Sequence, residues 1–134
     1  MVHQVDEIRK ASTNDTLAEN IFNWITDNIA YDNDHSKEHY RTAREVYNEK
    51  RGVCGELSVL YITFLRSVNI QGSFCEVTRD NSGKEISHAC VMIRNSDGST
   101  HLSDVAYKCF RIEHTEYREF TDAELKTKYE NWNT

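Results

Sequence analysis

The sequence contains no proline and only five glycines in 134 residues. Its loops must therefore be shaped by Gly, Asn, Asp and Ser, and slow prolyl isomerisation cannot limit its folding. It has no apolar run approaching the roughly 20 residues that span a bilayer, so no membrane partner is expected. The N-terminal stretch MVHQVDEIRK is mixed and charged, with the features of neither a signal peptide nor a transit peptide, so a cytoplasmic location is expected. No basic stripe relieves the net charge of −6. Phosphate recognition needs clustered Lys and Arg, which argues against nucleic acid as a partner. The four cysteines, Cys54, Cys75, Cys90 and Cys109, include no C-x-x-C pair, which disfavours a zinc knuckle or a thioredoxin-type motif. They read as free thiols, each either a small buried residue or a reactive centre. No repeat, low-complexity tract or linker divides the chain, so residues 1–134 read as one domain.

What is present is an ordinary globular composition, 38% apolar and 28% charged. The first half carries helical periodicity. Residues 2–11 place Val2, Val5 and Ile8 on one face. Thr16 to Glu19 spells a capping box, and Leu17, Ile21, Trp24, Ile25 and Ile29 follow at helical spacing, predicting a helix to Asn28 or Ala30. Tyr31 to Tyr40 is polar and reads as a loop. Thr42 to Glu45 is a second capping box, opening a short helix that Gly52 can stop. From Cys54 onward, Leu57, Leu60, Tyr61, Phe64, Leu65 and Val68 form the clearest amphipathic stripe, so this helix should be central. Asn69 can end it in the left-handed conformation. The second half alternates like strands: Ser73–Arg79, Ile86–Arg94, Thr100–Val105 and Lys108–Glu113, with turns at Asp80–Gly83 and Asn95–Gly98. Thr121 to Glu124 is a third capping box and begins a C-terminal helix. Helices followed by an antiparallel meander sheet make the class α+β.

Three residues could carry chemistry together. A thiol attacks a carbonyl as thiolate, and a helix N-terminus with a nearby imidazolium favours that form. Cys54 sits where such a helix begins, between Gly52 and Gly55. The free N–H groups of the first turn, that of Cys54 first among them, can receive a developing oxyanion. A base must come from elsewhere, and His88 lies in a strand. Its ring needs an acceptor to fix tautomer and orientation. Asp104, at the end of the next strand and one hairpin away, is expected to face it at ~5 Å.

The segments GVCGELS, SHACV and HLSDVAY, in this order, resemble the transglutaminase-like superfamily of papain-fold enzymes. NIAYD, RTAREVYNEKRGVC and LRSVNI fit the same pattern, and the resemblance covers roughly residues 16 to 107. It implies a cysteine helix packed on an antiparallel sheet, with Cys54 as nucleophile, His88 as base and Asp104 as orienting acid. The chain departs from many members at Cys90, where they have Trp, at Val105, where they have Pro, and at Asn69, where they have Gly. Members that use a side chain in the oxyanion hole take it from before the cysteine. Trp24, Tyr31 and Tyr40 are the possibilities here, and Gly55 completes the expected pocket.

Plainer readings apply to the rest. Cys75, Cys90 and Cys109 are expected in the core, with Cys90 on the sheet face of His88 and able to line the pocket. Glu56 reads as a partner of the helix dipole, with substrate contact as the alternative. His35 and His39, four apart beside Asp34, read as solvated loop; His3, His101 and His114 carry no partner signal. No metal or cofactor is expected. The implied activity is a cysteine-dependent hydrolase of peptide or isopeptide bonds, with a protein or peptide as substrate. The alternatives are acyl transfer to an amine by a transglutaminase, and a silent binding module of the same fold. The small size tilts the expectation towards hydrolysis; the oligomeric state stays open.

Overall fold

The computed structural model describes residues 1–33 and 40–128. Its organising element is α4 (Cys54–Ser67), which carries more than one apolar stripe. Leu57, Leu60, Tyr61, Phe64 and Leu65 are buried as the spacing predicts, and so are Val59 and Ile62 on the rest of the helix surface. A helix apolar on most sides must be enclosed. Here α1 (Val2–Lys10), α2 (Leu17–Asn28) and α3 (Ala43–Glu49) pack against it, and β3 (Gln71–Arg79) and β4 (Glu85–Arg94) form the sheet beneath it. Val5 and Ile8 of α1 turn inward, while Val2, expected with them, is exposed.

Two of the three capping boxes form. Thr42 and Glu45 exchange their bonds ahead of α3, and Thr121 and Glu124 do so ahead of α5 (Asp122–Lys128). The third does not. Thr16 keeps helix-like backbone angles and makes no cap bond; its hydroxyl serves the preceding turn, accepting from Thr13 N at 3.1 Å. The stop after α3 also differs from expectation. Lys50, not Gly52, takes the left-handed position, with φ 60°. After α4, Asn69 does so at φ 65°, as its short polar side chain allows.

The sheet contains the expected meander. β3, β4, β5 (Thr100–Asp104) and β6 (Cys109–Ile112) are neighbours in sequence order, all antiparallel. A fifth strand, β7 (Glu116–Glu119), returns across the sheet to pair with β3 at the far edge, giving the order β6-β5-β4-β3-β7. A two-stranded parallel pair joins β1 (Ala30–Tyr31) to β2 (Arg51–Gly52), where a loop was expected. The apolar residues divide between the two sheet faces. Phe74, Ala89, Val91 and Ile93 join the core under α4, while Cys75, Val77, Cys90, Leu102 and Ile112 form a second cluster. No helix among the described residues is long and apolar enough to cross a membrane.

Candidate active site

Backbone geometry builds the site around the tip of α4. Cys54 is its first residue and is half-buried, so the sulfur is neither sealed in hydrocarbon nor on open surface. The N–H groups of this turn have no helical acceptor. Glu56 takes one bond here: its Oε1 accepts from Val53 N at 2.9 Å, and its Oε2 from Arg41 N at 2.6 Å. With 3% exposure, Glu56 is therefore a buried cap and not a substrate contact. Arg41 is equally enclosed. It pairs with Asp32 and donates to Arg51 O at 2.9 Å. The buried charges are thus paired and hydrogen-bonded, as burial requires.

This network and the short parallel pair bring Tyr31 to the cysteine. Tyr31 pairs with Gly52, and Asp32 N donates to Gly52 O at 2.9 Å. Gly52 itself lies close against α3 and α4: a Cβ there would stand 3.2 Å from both Val46 Cγ1 and Glu56 Cβ. The Cys54 backbone amide and thiol both act on the Tyr31 phenol, which places it near the tip of α4. Partial burial, then the neighbouring Cys54, raises the phenol above its ordinary pKa. Tyr40 adds its charge to the same neighbourhood.

His88 stands in β4. Its Nε2 lies 2.7 Å from Asp104 Oδ2, and the Cys54 thiol acts electrostatically on the same ring. Burial pushes this imidazole down. The hydrogen bonds to Asp104 and Cys54, with their charges, outweigh burial and lift its pKa to about 9. The contact with Asp104 is diagonal and not facing: Val91 pairs with Ser103, which sets Asp104 opposite Cys90, two residues from His88. Two reaching side chains close that gap. Asp104 is fully buried, and its Oδ1 accepts from Tyr107 N at 3.0 Å. The Tyr107 ring lies 4.6 Å from that of His88, centroid to centroid, and its hydroxyl donates to Asp80 at 2.9 Å. Burial, then Asp80, raises the Tyr107 phenol to about 12.

Other expected site residues are placed differently. Trp24 stacks on Tyr47 at 5.7 Å and packs on Phe64 at 5.9 Å, so it belongs to the helical core. Cys90 does share the His88 face, but it is fully buried. It sits directly across from Cys75, and that thiol, then burial, raises its pKa strongly. It backs the site and does not line an opening. Gly55 is buried in the first turn of α4, next to the thiol. Asp34, His35 and His39 lie outside the described residues.

One residue was not anticipated. His114, between β6 and β7, places its Nε2 2.7 Å from the same Asp104 Oδ2 that His88 uses. The ligand-type atoms of His88, Asp104 and His114 lie within 4.8 Å of one another, a spacing that a metal ion could also occupy. Hydrogen bonds at 2.7 Å already account for it. No pattern in Glu113-His-Thr-Glu116 announces this role. It follows from the chain's turn between β6 and β7.

No curated protein matches the chain. Among solved structures, a candidate cysteine protease from Cytophaga hutchinsonii superposes with TM-score 0.61 at 17% identity, over 89% of this chain and 47% of that one. The chain thus spans about half of that protein's length. LapG from Legionella pneumophila superposes with TM-score 0.61 at 10% identity, over 88% of this chain and 79% of LapG. The EGTA-treated form of LapG gives the same score and identity. At such identities the likeness is one of fold. The profile of the transglutaminase-like superfamily matches residues 3–102, which takes in Cys54 and His88 and stops just short of Asp104. With most of its length inside that profile, the chain belongs to the transglutaminase-like superfamily.

Proposed function

We propose that the chain is a cysteine-dependent hydrolase of peptide or isopeptide bonds. The observation that carries this reading is the His88 ring held 2.7 Å from Asp104 and electrostatically coupled to the Cys54 thiol at the tip of α4. In the proposed reaction Cys54 Sγ forms a bond to the substrate carbonyl carbon. The oxyanion is received by the Cys54 N–H and the Tyr31 hydroxyl, which are electrostatically coupled at the tip of α4. The carbon–nitrogen bond then breaks, and the leaving nitrogen takes a proton from His88 Nδ1. A ring that stays protonated to about pH 9 is suited to that donation. Water next attacks the thioester and gives its proton to His88. The sulfur–carbon bond breaks, and the acid product leaves. Asp104 keeps the ring oriented and supports its charge throughout.

The same thioester could pass to an amine instead, and the competition decides the class. Incubation with a mixed peptide library and a labelled primary amine separates the outcomes by mass spectrometry. The expected result is new peptide termini without amine incorporation, and loss of all turnover in Cys54→Ala with an unchanged thermal melt. Amine incorporation would make the chain a transferase. Turnover surviving in Cys54→Ala would overturn the reading.

A further inference from the structure

Asp104 Oδ2 receives two imidazoles, and the proposed reaction uses only one of them. As a carboxylate, Asp104 can only accept, so both rings present an N–H at Nε2. Its other oxygen is held by the Tyr107 amide. The carboxyl group is fully buried, so no solvent rotation competes with these three donors.

His114 is the less expected of the two histidines. Its side chain is fully buried, and its Nδ1 has no hydrogen-bond partner among the described residues. An orphaned buried nitrogen is a cost, and such groups are uncommon enough to call for a reason. A Phe or Leu could fill this volume without that cost. Among the described residues, the ring makes one side-chain hydrogen bond, and it goes to Asp104. Its edge also meets Tyr107 at 5.4 Å and His88 at 5.8 Å, so three rings enclose the carboxylate.

We propose that His114 is a positioning residue: by donating to Asp104 Oδ2 from a second direction, it fixes the carboxylate that orients the His88 ring towards Cys54. This rests on the reading that Cys54, His88 and Asp104 act together. Without His114, the buried Asp104 carboxyl has one donor fewer to hold it. Its carboxylate can then turn, and the His88 ring turns with it.

The test needs no substrate. Iodoacetamide alkylation of Cys54 is followed by mass spectrometry from about pH 5 to pH 10 in the unaltered chain, Asp104→Asn, His114→Phe, His114→Gln and His114→Asn. Thermal melts accompany each variant. At about pH 6, His114→Phe is expected to slow alkylation roughly tenfold and to shift the pH profile in the direction of Asp104→Asn. His114→Gln, whose amide nitrogen reaches as far as Nε2, keeps most of the rate. His114→Asn, shorter by one methylene, loses it. If the Phe variant fails to fold, the Gln and Asn pair decides alone. Equal rates and profiles in those two folded variants, with Asp104→Asn still slow, would overturn the role of His114 and leave the triad standing. If Asp104→Asn also matches the unaltered chain, the proposed triad falls and this proposal with it.

Discussion

The two faces of the sheet are built from different material. Under α4 lie Phe74, Ala89, Val91 and Ile93, continuous with Leu60, Tyr61, Phe64 and Leu65 of the helix. On the other face lie Cys75, Val77, Cys90, Leu102 and Ile112, a smaller cluster of smaller side chains. His88 follows the alternation of that second face, and Asp104 lies diagonally across from it. Cys54 comes from the helical side, at the very end of its helix. The site is therefore a junction: stability comes chiefly from one face, the imidazole and carboxylate from the other, and the helix tip brings the thiol to them.

Truncations on the two faces should break this division most visibly. Phe64 is 1% exposed in the middle of the larger cluster. Phe64→Ala is expected to cost about 4 kcal/mol, because the surrounding helices cannot collapse into the space. Leu102 is 4% exposed in the smaller cluster, and Leu102→Ala should cost about 2 kcal/mol, at the lower end for its type. Urea denaturation measures both. Equal losses would show that the second face is packed as tightly as the first and would remove the distinction.

Another effect concerns charge on the second face. The His88 pKa is raised in the folded chain, to about 9, against roughly 6.5 when unfolded. A raised pKa means that the folded state holds the proton more tightly. The resulting stability is fully present below about pH 6.5 and is lost as pH rises through about 9. The loss is expected to be at most about 3 kcal/mol. Denaturation curves at about pH 6 and pH 9.5 should show it, and His88→Gln should flatten the decline. An identical decline in that variant would assign it to other groups.

Which parts of this were legible in the sequence follows from how local each signal is. α4 could be read because its apolar residues recur at helical spacing, and Cys54 because it opens that helix. His88 and Asp104 lay on alternating strands joined by a short turn. Their pairing was therefore expected, although register made it diagonal. Strand β7 was missed because its residues, Glu-Tyr-Arg-Glu, are all exposed and show no apolar alternation. The β1–β2 pair was missed because it joins segments about twenty residues apart through two residues each. That pairing favours Tyr31 over Trp24 beside the thiol, a choice that helical periodicity could not make. His114 escaped for the same reason: a turn between two strands carries it to Asp104.

The finest test of the division probes how closely β3 approaches the helix. Gly72 stands on the helical face of the sheet, where an added Cβ would lie 3.0 Å from Leu65 Cδ1 and 3.5 Å from Val91 Cγ1. The nearest atom is a terminal methyl group, which can yield by a small rotation. Against that strain, Gly→Ala removes freedom from the unfolded chain, worth roughly 0.4–1 kcal/mol. Gly72→Ala should therefore destabilise by no more than about 1 kcal/mol. Leu65→Val withdraws the crowded methyl group, so the double variant should lose less than the two single losses added. Strict additivity would mean that the strand and helix are not in close contact at Gly72. Activity per folded molecule should not change in any of the three, because this contact lies in the face that gives stability and not in the one that supplies His88 and Asp104.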